Sequence, residues 1–397
     1  MRIQHQDADG TKTPLPGVTV SVQTPDGTEV ASVVTDDKGV GTAEGLAGRE
    51  FVLVVDESTL PDGEELLPDP ATGEEGPART ATAGVTGKAT KNLFTGESRT
   101  RNTSWVDQVP QRLVDGTRLG LVIAITSVGL SLIFGTTGLT NFAHGELVTF
   151  GGVVAWLFNV SWGIPLLLAG PMAIVVGGCF GYFLDWGLWG RLRKRGIGLV
   201  SQMVVSVGLS ILLRNLYLWR FGGRTKPYGD FANQTQWTWW KVGITPRDLS
   251  TSLLSLIVLV GVALALQRTR LGKATRAVSD NVDLASATGI NTQMVIRLTW
   301  IVGAALAAMG GIVRGLDEQV SFEMGSNLLF LMFAGITLGG LGSAFGALVG
   351  GFLIGVFAEV LTLAVPNELK NVPPLMVLIL VLLLRPQGIL GRRERVG

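Results

Sequence analysis

Ile133-Phe134-Gly135-Thr136-Thr137-Gly138-Leu139-Thr140-Asn141-Phe142-Ala143-His144-Gly145-Glu146 lies between two apolar runs long enough to cross a bilayer. A continuous lipid-facing helix has no simple use for Gly135, Gly138 and Gly145 so close to Asn141, His144 and Glu146. Each polar group that meets hydrocarbon unpaired carries a large desolvation cost. The stretch therefore reads as a broken or re-entrant segment, tolerated only where protein or a water-filled path surrounds it. That pattern points to transport.

Composition agrees. The chain has 397 residues, 47% of them hydrophobic and 16% charged, with mean hydropathy +0.41. This is too apolar for an ordinary soluble enzyme and fits a polytopic membrane protein. The net charge of +1 hides two unlike parts. Residues 1–116 hold 10 Lys/Arg against 19 Asp/Glu, a net −9, and residues 117–397 hold 22 against 12, a net +10. One cysteine, Cys179, excludes an intrachain disulfide, and two histidines, His5 and His144, leave no ligand set for a His/Cys metal site.

The acidic part reads as a small antiparallel all-β sandwich over 1–95. Val18–Val22, Glu29–Thr35 and Phe51–Val55 are rich in β-branched residues, and Pro25-Asp26-Gly27 and Asp36-Asp37-Lys38-Gly39 supply turns between them. Pro61–Glu75 reads as a loop, and 96–116 as a linker. The membrane part, 117–397, carries spans near 117–137, 144–161, 163–186, 199–219, 251–268, 295–315, 328–342, 345–365 and 374–390, the second and seventh short enough to be half-helices. Arg191, Arg193, Lys194 and Arg195 mark one side; Arg268, Arg270, Lys273 and Arg276 fall on it by alternation, as do Arg392, Arg393 and Arg395. The positive-inside rule puts that side in the cytoplasm and residues 1–116 outside, against the opposing charge of Arg220, Arg224, Lys226, Lys241 and Arg247 in the 220–250 loop. The first 30 residues contain no apolar export segment. Either the first span acts as a reverse anchor or a leader precedes Met1; Arg2-Ile3-Gln4 reads as the middle of a strand and favours the leader.

A second signal is Leu271–Asn291. Ala-rich helix formers fill both halves; Asp280, Asn281 or Asp283 can cap a second short helix, and Gly289 can end it in a left-handed turn. Two short helices make a knob able to seat in a partner's cleft; the alternative is a solvated basic loop. No Gly-x-x-x-x-Gly-Lys-Ser/Thr occurs, the nearest decoy being Gly84-Val85-Thr86-Gly87-Lys88-Ala89, so the chain cannot cradle ATP through a P-loop. Asn141 and His144 either line a path or satisfy the broken backbone. Asp185, Arg214, Arg297 and Arg314 are placed near span ends, where snorkelling explains them; Glu146 and Glu359 need partners inside the bundle. Gly335, Gly339, Gly340, Gly342, Gly346, Gly350 and Gly351 predict close helix approach, and the 328–365 pair suggests an inverted repeat of 117–161. Trp237, Trp239 and Trp240 fit the membrane interface or a docking surface.

Gly129–Glu146 resembles the signature of inner-membrane permease subunits of branched-chain amino-acid ABC importers, the LivH type. So do Gly272-Lys273, Arg276-Ala277, Asp280-Asn281, Ala285 and Gly289-Ile290, then Leu338–Ser343, then Arg385–Gly391. Four motifs in order across about 115–395 carry the resemblance. It implies an all-α permease of about 8–9 transmembrane helices and no catalytic centre, metal or cofactor of its own. The implied partners are a second permease subunit, cytoplasmic ATPases and an extracytoplasmic binding protein. The residues of 272–290 named above would form the ATPase-coupling loop. Gly135, Gly138, Asn141, Phe142, His144, Gly145 and Glu146 would form the pathway or its broken helix. The cargo would be a branched-chain amino acid, with urea or a short amide as the alternative, and a secondary transporter or channel as the non-ABC one. Residues 1–95 depart from that family and resemble carboxypeptidase-regulatory-like or Cna-B-like sandwiches.

Overall fold

The computed structural model describes residues 1–6, 12–43, 50–61, 64, 66–67, 76–82, 91–96, 105–231, 234, 236–365, 369, 372–384 and 388–389. Most of the 61–75 loop, Gly84–Ala89, Arg385–Gln387 and Arg392, Arg393 and Arg395 lie outside them. The chain divides into two compact units, Met1–Ser104 and Trp105–Gly397.

The first unit holds β1 (Arg2–Gln6), β2 (Lys12–Pro14), β3 (Thr19–Gln23), β4 (Glu29–Val34), β5 (Glu50–Val55), β6 (Ala78–Thr82) and β7 (Asn92–Gly96). They form two sheets, in the orders β2-β1-β7 and β4-β3-β5-β6. Period-2 alternation sends Val18, Val20 and Val22 inward beside Phe51, Leu53 and Val55, where Ile3 and Leu93 of the other sheet complete one core. The expectation of a wholly antiparallel sandwich needs one correction: β1 and β7 pair in parallel, Ile3 opposite Leu93. A parallel pair needs a long crossover, and the four-stranded sheet lies within that crossover. In the turn after β4, the Asp36 carboxylate accepts from Val40 N (2.7 Å) and Lys38 N (2.9 Å). The Val40 donor leads in holding its pKa below the ordinary aspartate value.

The second unit is helical. Its elements are α1 (Trp105–Thr137), α2 (His144–Trp156), α3 (Leu166–Leu184), α4 (Gly190–Lys194), α5 (Leu199–Phe221), the hairpin β8 (Trp237–Trp239) and β9 (Val242–Ile244), α6 (Pro246–Arg268), α7 (Arg270–Asp280), α8 (Val282–Ala287), α9 (Thr292–Glu318), α10 (Met324–Gly339), α11 (Ala344–Leu361) and α12 (Val372–Leu384). Among the described residues, 6 helical stretches are long and apolar enough to cross a membrane: 106–137, 166–194, 199–221, 246–268, 292–318 and 344–361; α10 and α12 are shorter and apolar. A π turn, Leu157–Ser161, ends α2, and another, Asp185–Trp189, joins α3 to α4. Arg191, Arg193 and Lys194 therefore ride on the last turn of one long helix.

The 96–116 linker is corrected at its second half, because α1 begins at Trp105. Residues distant in the chain hold this extension: Gln111 accepts from Gly243 N (2.8 Å) and donates to Gly243 O (3.2 Å), and Lys241 pairs with Asp107.

Backbone proximity at small residues sets the packing. Gly129 of α1 meets Gly303 of α9, Gly181 of α3 meets Trp300 and Ala304, Gly311 of α9 meets the Val148 carbonyl of α2, and α11 sets Gly350 against α10 and Gly355 against Gly120 of α1. Close approach gives van der Waals contact where lipid removes the hydrophobic drive between helices. A methyl at Gly311 would overlap the Val148 carbonyl, whereas nothing lies near Gly261 on α6. Gly311→Ala is expected to cost about 1–3 kcal/mol by overpacking, and Gly261→Ala to be neutral or slightly stabilising by helix propensity. Thermal unfolding of the purified subunit in detergent compares the two.

Charges first assigned to snorkelling have partners instead. Asp185, 2% exposed, pairs with Arg193 at 2.5 Å and Arg297 at 3.8 Å, joining α3 to the start of α9. Arg314 pairs with Glu318 one turn on, and Arg214 with Glu323, the residue that precedes α10. Glu359 lies near the end of α11, 3.6 Å from Arg112. At the opposite end of the bundle from Asp185, Arg118 binds Asp248 (2.8 Å) and Asp317, tying α1, α6 and α9 together. Such sharing leaves no buried charge without a counter-ion there, the condition for tolerating it.

Candidate functional site

The break lies where the opening stretch indicates. After α1, Gly138 takes φ +68°, a left-handed value that favours glycine. The chain then turns back beside α1. The Asn141 side chain accepts from Ala143 N (3.1 Å), and Phe142 N donates to Ser206 Oγ on α5 (3.1 Å). His144, fully buried, opens α2 with its Nε2 3.2 Å from the Thr126 carbonyl of α1. Asn141 thus binds backbone of the break itself, and His144 binds backbone in the middle of α1. Gly145 packs on Gly325. The fully buried Glu146 accepts from Ser210 Oγ (3.2 Å), and Tyr217 OH donates to the Glu146 carbonyl (3.1 Å).

A second break faces it. Gln319 takes φ +68°, and Ser321-Phe322-Glu323 turns into Met324-Gly325 at the start of α10 as Asn141-Phe142-Ala143 turns into His144-Gly145. The bridging bonds match: His144 N to Asn141 O at 3.2 Å, Met324 N to Ser321 O at 3.4 Å. Thr149 Oγ1 accepts from Gly325 N (3.1 Å). α2 runs away toward Tyr228, whose hydroxyl donates to Gly152 O (3.2 Å). α10 runs toward Gly342, which contacts Gly135 beside Ser279. Two short helices therefore begin side by side and leave toward opposite ends of the bundle. In local geometry 319–326 matches 138–146, a likeness that the expected pairing of 328–365 with 117–161 did not include. The shared Phe-x-x-Gly spacing is the signal the sequence offered. The Arg214–Glu323 pair went unread, because its residues stand 109 apart.

The 271–291 segment folds as the two short helices α7 and α8. Thr269 caps α7 by accepting from Gly272 N (3.0 Å). Asn281 caps α8 by accepting from Leu284 N (2.8 Å), and Gly289 at φ +87° ends it. Ile290 N returns to the Ala285 carbonyl (3.1 Å), the six-to-one bond of a Schellman turn. Gly272, Val278 and Ala285 are buried, Ala277 and Ile290 are half-buried, and Lys273, Arg276, Asp280, Asn281 and Gly289 are exposed. Leu284 and Met294 stand 64% and 59% exposed, an apolar surface among charges. Beneath it, Val278 and Ala285 share a core with Ile133 and Leu139 of the first break, Val295 and Ile296 of α9, and the stacked Trp189 and Trp300. The knob is thus packed continuously onto the segment leading to the facing helix starts.

Long apolar helices around paired interior breaks, with a capped knob at one end, define a multi-pass membrane permease. The chain belongs to the branched-chain amino acid transport system permease component family, whose model matches residues 112–382. It is 31% identical over 307 residues to the high-affinity branched-chain amino acid transport system permease protein LivH of Escherichia coli K12, covering 72% of this chain and 96% of that protein. BraD of Pseudomonas aeruginosa, a permease protein of the same description, is 31% identical over 300 residues, with the same coverage. The probable LivH of Methanocaldococcus jannaschii is 27% identical over 283 residues, 68% of this chain and 89% of that protein. No solved structure matches the chain. The β-unit lies outside the matched region. By this kinship the chain is a permease subunit of an ABC importer.

Proposed function

We propose that this subunit forms half of a membrane pathway for branched-chain amino acids, driven by ATP hydrolysis on separate subunits. The carrying observation is the family match across residues 112–382 of the helical unit. The capped knob α7–α8, packed onto the first break, supports assignment of Gly272–Ile290 as the element an ATPase grips. In this reading the knob lies in the cytoplasm with the C-terminus, and the β-unit lies outside. The hydrolytic chemistry and its cofactor belong to the ATPase, and this chain is non-catalytic. A second permease subunit completes the path, and the outward faces of α5 and α6, helices whose most apolar stretches are only 17% and 11% buried within the chain, are available to it and to lipid. A binding protein delivers cargo from outside. Labelled leucine and labelled urea uptake, in native cells with and without the gene, tests this. Loss of leucine uptake alone is expected; loss of urea uptake alone would reassign the cargo to a short amide.

A further inference from the structure

α5 is attached to the two facing helix starts by a polar stripe. Ser206, Ser210, Arg214 and Tyr217 recur at spacings of four, four and three, one face of a helix. They reach Phe142 N, the Glu146 carboxylate, the Glu323 carboxylate and the Glu146 carbonyl in turn. Two acidic side chains, Glu146 and Glu323, share this stripe with one basic side chain, Arg214. Glu146 is fully buried, and among the described residues its Oε2 has no hydrogen-bond partner. A buried carboxylate oxygen left open is costly unless a cation completes it. The Arg214 and Glu323 side chains are 42% and 41% exposed within this chain, so the pair is not enclosed by its own helices. The Phe322 ring lies 5.7 Å from the Arg214 guanidinium.

We propose that this cluster is where the permease reads the zwitterionic head of its cargo. The α-ammonium sits between the Glu146 and Glu323 carboxylates, and the α-carboxylate takes Arg214 from Glu323. Binding thereby exchanges the α5–α10 ion pair for two substrate ion pairs and releases α5 from α10. No covalent bond forms or breaks. The inference rests on the amino-acid reading above.

The test is uptake of labelled leucine into proteoliposomes holding the complete importer. Leucinamide, which lacks the carboxylate, and 4-methylpentanoate, which lacks the ammonium, are the competitors. Each is expected to compete at least about tenfold more weakly than leucine, as when a site's polar group is left unpaired. Arg214→Gln and Glu146→Gln are each expected to lower leucine uptake about tenfold or more in complexes that still assemble. The charge-exchanged double variant, Arg214→Glu with Glu323→Arg, restores the ion pair and is expected to stay inactive. Equal competition by either analogue, near-normal uptake by Arg214→Gln, or rescue by the double variant would overturn the proposal and leave the pair a structural latch. A wild-type complex that carries no leucine would instead sink the amino-acid reading itself.

Discussion

Arg276→Glu and Gly289→Pro are each expected to leave the subunit in the membrane and to abolish ATP-driven uptake. Arg276 is exposed on α7, and among the described residues its one hydrogen bond is a 3.4 Å contact to the Gln267 carbonyl. Reversing its charge therefore changes folding stability little, within about 0.5 kcal/mol for an ordinary surface site. On a docking surface the same change places like charges together, at a cost of several kcal/mol. A loss of about 3 kcal/mol in docking corresponds to roughly a hundredfold weaker coupling. Gly289 acts differently. Its φ of +87° is closed to proline, and its N–H, donated to the Ser286 carbonyl at 3.0 Å, would vanish. The turn that seats Ile290 against Ala285 would open and α8 would lose its fixed place. Membrane levels by immunoblot, read beside uptake, check both variants. Normal uptake by both would refute the coupling role of the knob.

Gly325→Val is expected to prevent a stable fold. A side chain at Gly325 would run into the Gly145 carbonyl and Thr149 Oγ1, and the carbonyl is backbone rather than the end of a flexible side chain. The substitution also disturbs the Gly325 N–H bond to Thr149. Overpacking of this kind costs about 1–3 kcal/mol even where neighbours can move, and here two helix starts must separate. We expect at least a tenfold drop in monodisperse protein after detergent extraction, set against Gly261→Val as a control on an open face. Comparable yields of the two variants would mean that α2 and α10 do not meet as described.

Much of this was legible in the residues. Hydropathy located the spans, because lipid demands long apolar runs regardless of their neighbours. The knob was legible because Asn281 and Gly289 act locally, on backbone within four residues. The break at 138–146 was legible because glycine, Asn141 and His144 are out of place in lipid. What escaped depends on contacts between distant residues. The helical start at Trp105 rests on a hairpin whose Gly243 is 132 positions from Gln111. The pairing of β1 with β7 closes the β-unit end to end. Arg214 and Asp185 looked able to snorkel, since sequence shows distance from a span end but not the carboxylate across the bundle. The second break at 319–326 was hidden because it shares little more than Phe322 and Gly325 with the first.

The most direct measurement is leucine accumulation in proteoliposomes reconstituted with this subunit and its co-purifying partners, with ATP enclosed on the knob side or withheld. The expected result is accumulation against the gradient only with ATP and only when ATPase subunits co-purify. Leucine flux that needs neither, carried by this chain alone, would contradict the assignment as an ABC importer permease.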